Sequence, residues 1–396
     1  IDDGTIHLKI IEIRKDVLVC RVIVGGLLSN RKGINVPDAE ISLPTLSDKD
    51  KEDILWGVEN DVDFIAVSFV RNRDDVLAVR RVIEEAGGDI KLIAKIESRK
   101  AVERLDEIAG VVDGMMVARG DLGVEIPTED VPLVQKQIID ICRSRGKLTI
   151  VATQMLDSMI RNPRPTRAEA NDVANAVLDG ADAVMLSGES AAGKYPVRAV
   201  ETMARIVQRA EEGLVRWQRP CAVSTLEDSV PDGVSMAAVE LARKLRARAI
   251  VSLTRSGSTA TMVSKYRPEC PILAVTPSEK SCREMCLYWG VFPVMCPEGG
   301  TEEQTIKDAV RTVMQRGYAE EGDMLVITAG MPLGVSGTTN MLRVYTIGQI
   351  VARGLPVLPG VVTGRVLVVK KGEDLVGIQN GDVLVTGSMT KDYVKY

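Results

Sequence analysis

Five short, continuously apolar runs recur between residues 64 and 186: Phe64–Val67, Leu92–Ile96, Met115–Ala118, Thr149–Ala152 and Ala183–Leu186. Helix-like stretches such as Asp74–Ala86 and Leu133–Arg145 separate them. Runs that do not alternate with polar residues suit parallel strands covered on both faces. Five strand-plus-helix units spaced by about 23 to 34 residues predict a parallel α/β architecture. Each run is closed by polar residues. Ser68 and Arg71 follow the first, Lys95 and Glu97 close the second, and Arg119-Gly120-Asp121 follow the third. Thr153-Gln154 follow the fourth and Ser187-Gly188-Glu189 the fifth. Polar groups therefore gather at the carboxyl ends of successive strands, the rim that carries the chemistry in a (β/α)8 barrel.

Around this block the pattern changes. Residues 1–36 read as short strands: Ile6, Leu8 and Ile10 alternate with polar neighbours, and Val17-Leu18-Val19 and Val22-Ile23-Val24 follow. Residues 230–350 read as a second α/β block, with strands at Ala249–Leu253, Ile272–Val275, Met324–Thr328 and Leu342–Ile347 and a helix at Met236–Leu245. Glu227 to Gly233 reads as its entry linker. A Pro/Gly-rich turn region, Leu355 to Gly360, leads into β-like sequence ending near Val385. The chain opens at Ile1 inside strand-like sequence and stops at Tyr396, so both ends read as cut.

Composition narrows the chemistry. The 396 residues hold 55 acidic and 50 basic side chains, a net charge of −5. No basic excess exists to bind nucleic acid or an anionic membrane surface. No apolar stretch of about 20 residues offers a membrane span. Seven scattered cysteines without a C-x-x-C pair argue against a disulfide scaffold and make the reducing cytoplasm the expected location. Only one histidine, His7, exists, which leaves Cys/His metal sites and histidine-dependent nucleophiles without parts. The available chemistry rests on Lys, Asp, Glu, Thr and backbone.

Lys95 and Glu97 lie two apart on a strand, so both face the same side at the mouth. An ammonium there could stabilise a transferring phosphoryl group while Glu97 holds a metal. Alternatively Lys95 could form a Schiff base, or the two could be a structural ion pair. Asp121, set between glycines after a buried strand, offers a second hard oxygen ligand beside Glu97, a set that suits Mg²⁺; a simple turn former is the plainer reading. Thr153 brings a hydroxyl to the next rim position, where a satisfied strand-end threonine is common. Asn162 to Arg167 forms a rigid basic loop that could steer an anion or pack against a neighbour. In Thr254-Arg255-Ser256-Gly257-Ser258-Thr259, a strand, a Ser/Gly turn and a helix could cradle a phosphate or simply cap the helix. Gly334–Thr339 is similar in composition and could close over the same ligand.

Together these motifs resemble the pyruvate kinase family. I-A-K-I-E stands at 93–97, M-V-A-R-G-D-L-G at 116–123, A-T-Q-M-L at 152–156, N-P-R-P-T-R-A-E at 162–169 and V-M-L-S-G-E at 184–189, in the family's order and spacing. The resemblance runs from Asp2-Asp3-Gly4 to about residue 353. It implies a (β/α)8 TIM barrel lacking its first strands, part of a β lid domain, and a C-terminal α/β three-layer domain. The corresponding boundaries are 1–40 for the end of the lid, 41–215 for the partial barrel and 225–353 for the regulatory domain. Residues 354–396 resemble the start of a phosphohistidine-like domain without its histidine.

The resemblance also implies roles. Lys95 would contact the transferring phosphoryl group, Glu97 and Asp121 would hold Mg²⁺ (or Mn²⁺), and Gly120, Asp121 and Thr153 would anchor the carboxylate of phosphoenolpyruvate. Phosphate would pass to ADP, giving ATP and pyruvate in glycolysis. Lys32 and Asp3 would lie on the nucleotide side. Thr254, Arg255, Ser256, Gly257, Ser258 and Thr259 would bind a phosphorylated effector, and a homotetramer is expected. The family's first three barrel strands are not in this sequence, nor are its ligands for K⁺. The chain alone is therefore expected to turn over very slowly. Two other classes compete: a Mg²⁺-dependent pyruvate-type aldolase working through Lys95, and a non-catalytic fragment or paralogue that keeps only effector binding.

Overall fold

The computed structural model describes the chain except residues 2–3, 29, 31–32, 37–44, 217–228, 298, 333–336, 349–353, 356–361, 363, 370–377 and 388–396. Strands β1 (His7–Arg14) and β2 (Val17–Val24) form an antiparallel hairpin. Val17–Val24 is one continuous strand where the sequence suggested two short ones.

The expected parallel block follows. Strands β3 (Phe64–Val67), β4 (Lys91–Ile96), β5 (Gly114–Ala118), β6 (Leu148–Ala152) and β7 (Ala183–Val184) lie side by side in chain order, all parallel. Helices Arg73–Glu85, Leu105–Val111, Val131–Ser144 and Arg167–Asp179 connect them. Their apolar faces bury Val76, Val79, Ile83, Ile138 and Val173 against Leu92, Ala94, Ile96, Met115, Val117 and Val151. Alternate strand residues thus feed the outer layer, as a β/α barrel wall requires. β7 ends earlier than the apolar run suggests: Met185 N–H still donates to Val151 O, but the chain then turns at Ser187.

The other face of this sheet meets the second α/β block. There β8 (Ala249–Leu253), β9 (Ile272–Thr276), β10 (Val291–Met295), β11 (Met324–Gly330) and β12 (Thr339–Thr346) form a sheet ordered β10-β9-β8-β11-β12, with only β12 antiparallel. β10 was not foreseen, because Pro293 interrupts its run; an edge strand tolerates the missing donor. Of the entry linker proposed at Glu227 to Gly233, Glu227 and Asp228 lie outside the described residues and the rest is corrected. Val230–Gly233 already belongs to helix Val230–Leu245, whose first turn accommodates Pro231 and is capped by Ser229 Oγ accepting from Asp232 N–H.

One buried apolar cluster joins the two blocks. Ile93, Met116, Leu148 and Ile150 from the first sheet pack in it with Ile250, Val263, Met285 and Tyr288 from the second. At the amino ends of the first sheet, Arg267 pairs with Asp182 at 2.9 Å and donates to Gly180 O, and Trp289 N–H also donates to Asp182. Arg283 reaches Asp61 and Asp63, and Lys91 pairs with Glu284 at 3.1 Å. The carboxyl ends of β4–β6 point away from this seam. A further parallel pair, β13 (Val366–Val369) and β14 (Val383–Thr386), lies near the carboxyl end of the chain. Among the described residues, no helix is long and apolar enough to cross a membrane.

Candidate active site

Lys95 and Glu97 leave the carboxyl end of β4 on one side. The ammonium lies 2.6 Å from Glu97 Oε1 and donates to Ser68 Oγ at 2.9 Å. Glu97 is 2% exposed, and its Oε2 accepts the N–H of Phe69 at 2.7 Å. Phe69 itself stands at φ +55°, the left-handed region, which turns its N–H toward that carboxylate. The end of β3 therefore clamps the glutamate while Lys95 neutralises it, and a buried carboxylate needs both. Arg71, also expected at this rim, is drawn away to Asp75. Burial would raise the Asp75 carboxyl pKa, but hydrogen bonds from Arg71 and Thr45 outweigh it and hold the group below its usual range.

β5 runs beside β4 with Ile96 opposite Val117, so the segment after β5 enters the same rim. It becomes helix Arg119–Glu125, with Gly120 and Asp121 in its first turn. Asp121 is half-buried and makes no hydrogen bond or ion pair among the described residues. Among the described residues, no group of three or more His, Cys, Asp or Glu side chains is arranged to hold a metal. The donor set therefore amounts to two carboxylates: Glu97 Oε1, buried against an ammonium, and the uncommitted Asp121. That set fits Mg²⁺, which takes one or two carboxylates and fills its other positions with water and substrate oxygens.

β6 delivers Thr153, whose Oγ1 accepts the Gly120 N–H at 2.9 Å and donates to Ala152 O at 2.6 Å. Thr153 and Gln154 stand at φ +67° and +56°. For a β-branched residue this conformation is costly, about 1–3 kcal/mol, and such strain concentrates at functional sites. Arg119 had no assigned role in the sequence. Its guanidinium spans this turn, donating to Ala152 O and Thr153 O while pairing with Asp172 at 2.7 Å. Glu189 and Glu169 also prove to be local fasteners. Glu189, 2% exposed, accepts from Leu156 N–H and Ser187 N–H. Glu169 accepts from Ser158 and closes a capping box with Thr166.

The second cradle is built as a strand, turn and helix. Gly257 sits at φ +88°, its N–H donating to Thr254 Oγ1, and helix Ser258–Ser264 follows. Ser281 Oγ donates to Arg255 O at 2.7 Å. Ser258 Oγ accepts from Gly337 N–H, and Thr259 Oγ1, buried, bonds Thr339 Oγ1 at 2.9 Å. These contacts bring Gly337 and Thr339 beside the cradle. Asp3, Lys32 and residues 334–336 lie outside the described residues.

Known proteins are similar to this chain in sequence. Residues 1–200 match the family model for the pyruvate kinase barrel domain and residues 232–345 that for the pyruvate kinase alpha/beta domain. A pyruvate kinase of Staphylococcus epidermidis is 45% identical over 401 residues, covering 100% of this chain and 68% of that protein. One from Bacillus licheniformis is 46% identical over 397 residues, covering 99% and 68%. One from Clostridium acetobutylicum is 47% identical over 350 residues, covering 88% and 74%. On the strength of both domain matches and of identity at this level along nearly its whole length, the chain belongs to the pyruvate kinase family of transferases.

Proposed function

We propose that the chain carries the machinery for phosphoryl transfer from phosphoenolpyruvate to ADP, giving pyruvate and ATP as a step of glycolysis. The observation that supports this best is the ammonium of Lys95 held between Ser68 and the buried Glu97, one strand from the uncommitted carboxylate of Asp121.

Phosphoryl transfer asks a protein for positioning and charge neutralisation more than for a nucleophile. Lys95 places its positive charge where the phosphoryl group passes from donor to acceptor. Glu97 and Asp121 would hold Mg²⁺, which when bound neutralises charge on the substrate's oxygens. The substrate carboxylate would take the place of the internal bond between Gly120 N–H and Thr153 Oγ1, accepting from both groups and from Asp121 N–H. Asp3 and Lys32 are assigned to the nucleotide side. Mn²⁺ would serve in place of Mg²⁺, and K⁺ would be the accompanying monovalent cation. The segment Thr254–Thr259 would receive a phosphorylated effector, with Ser256, Gly257 and Ser258 facing the anion and Thr259 tying the cradle to the neighbouring loop. A cytoplasmic homotetramer is the assembly that fits the family.

The test is a PEP-dependent assay of the purified chain with Mg²⁺, K⁺ and ADP. Slow formation of pyruvate and ATP is expected, requiring both ADP and Mg²⁺ and vanishing in Lys95→Met. Covalent trapping of pyruvate on Lys95 by borohydride would instead support aldolase chemistry and overturn this reading.

A further inference from the structure

We propose that Arg119 is a positioning residue that sets the affinity for the three-carbon acid by holding the Thr153–Gln154 turn in its left-handed conformation. This rests on the reading of Gly120 and Thr153 as the carboxylate anchor.

Arg119 occupies the first residue of helix Arg119–Glu125, directly before Gly120, yet its side chain acts on the neighbouring strand. Nη2 donates to Thr153 O at 2.7 Å and contacts Met155 Sδ at 2.8 Å, and Nε lies 3.3 Å from both Ala152 O and Thr153 O. Nη1 is anchored on Asp172 at 2.7 Å, from helix Arg167–Asp179. One planar fork thus binds two successive carbonyls of the turn and one carboxylate behind it, a geometry that an ammonium cannot reproduce.

Thr153 and Gln154 both stand at positive φ, and neither is glycine. A β-branched residue does not keep that conformation unless its surroundings impose it. Carbonyls of a turn that leaves a buried strand also need donors. The guanidinium meets both needs. It fixes the direction of Thr153 Oγ1 relative to Gly120 N–H, the two groups 2.9 Å apart that would face a carboxylate. Arg119 itself is committed to carbonyls, sulfur and Asp172, so its effect on the anion passes through Thr153.

Titration calorimetry on the whole chain with Mg²⁺ and phosphoenolpyruvate, and separately with ADP, tests this. Arg119→Lys keeps the charge and removes the fork. It is expected to weaken phosphoenolpyruvate binding roughly 10- to 100-fold, the scale of an ångström-sized misplacement, with ADP binding unchanged. Adding Gln154→Gly, which adopts positive φ without strain, should recover several-fold of that loss, as a purely structural role would not. Unchanged phosphoenolpyruvate binding in Arg119→Lys overturns the inference. So does an equal loss of both ligands accompanied by a lower melting temperature, or a failure of Gln154→Gly to restore any affinity. Absence of binding by the unsubstituted chain would sink the proposed function itself, and the inference with it.

Discussion

Arg267 and Asp182 meet across the seam between the two sheets, guanidinium to carboxylate at 2.9 Å, with 8% and 4% of their side chains exposed. The other oxygen of Asp182 accepts the Thr149 N–H at 2.9 Å, so the same carboxylate ties β6 to the second block. Leaving one charge of such a pair buried alone is strongly destabilising. Asp182→Ala is expected to lower the free energy of unfolding by about 3–5 kcal/mol, read from urea midpoints. A loss below about 1 kcal/mol would mean that the contact is ornamental.

Removing the ammonium at the rim should strike the chemical step. Lys95→Met is expected to reduce kcat by at least about 10²- to 10³-fold, the scale of one well-aimed charge-stabilising donor. Steady-state assays at saturating phosphoenolpyruvate and ADP would read it. Loss confined to KM would contradict a role in stabilising the transferring group.

The proposed metal-holding role of Glu97 calls for a different readout. Glu97→Gln keeps the size and can still accept from Phe69 N–H, but removes the negative charge facing Lys95. Affinity for Mn²⁺, followed by electron paramagnetic resonance in the presence of phosphoenolpyruvate, is expected to fall by at least about tenfold. Unaltered Mn²⁺ affinity would remove Glu97 from the proposed ligand set.

Asp75 makes stability depend on acid. Its carboxyl is held below the ordinary value of 3.8 because hydrogen bonds from Arg71 and Thr45 outweigh burial. The ionised form therefore favours the folded state. That contribution is present above the unfolded pKa and disappears as pH falls through the lower folded pKa. Asp75→Asn should be less stable than the parent at pH 7, with the gap narrowing toward pH 3 in acid titrations monitored by circular dichroism.

Gly114 on β5 sits opposite Leu148 on β6, and a Cβ there would lie 2.8 Å from both Leu148 O and Leu148 Cβ. Two adjoining strands cannot part without disturbing the wall, so Gly114→Ala is expected to cost about 1–3 kcal/mol. Thermal melts would show it. An unchanged midpoint would indicate that the strands can separate freely.

The parallel wall was legible because apolar runs covered on both faces leave a strong trace, and four of its five strands lie within a residue of where the runs suggested. Lys95 and Glu97 were legible as a pair because a two-residue step on a strand fixes their common side. β10 escaped because Pro293 breaks the apolar pattern that an edge position then forgives. Arg119 escaped for another reason. Its partners Thr153 and Asp172 lie 34 and 53 positions away, and only the packing of the sheet brings them together. Phe69 was equally hidden, since its contribution is a backbone N–H turned by a positive φ. The fastening carboxylates of Glu169 and Glu189 sat in plain view within recognised motifs, but nothing local distinguished a fastener from a ligand.

The apolar cluster that holds Ile93 and Ile150 together with Val263 and Tyr288 makes the two halves thermodynamic partners. Neither half can melt alone without laying bare aliphatic surface that the other keeps dry. Calorimetry should record one endotherm, and nicking the peptide near residue 220 should leave the pieces bound to each other.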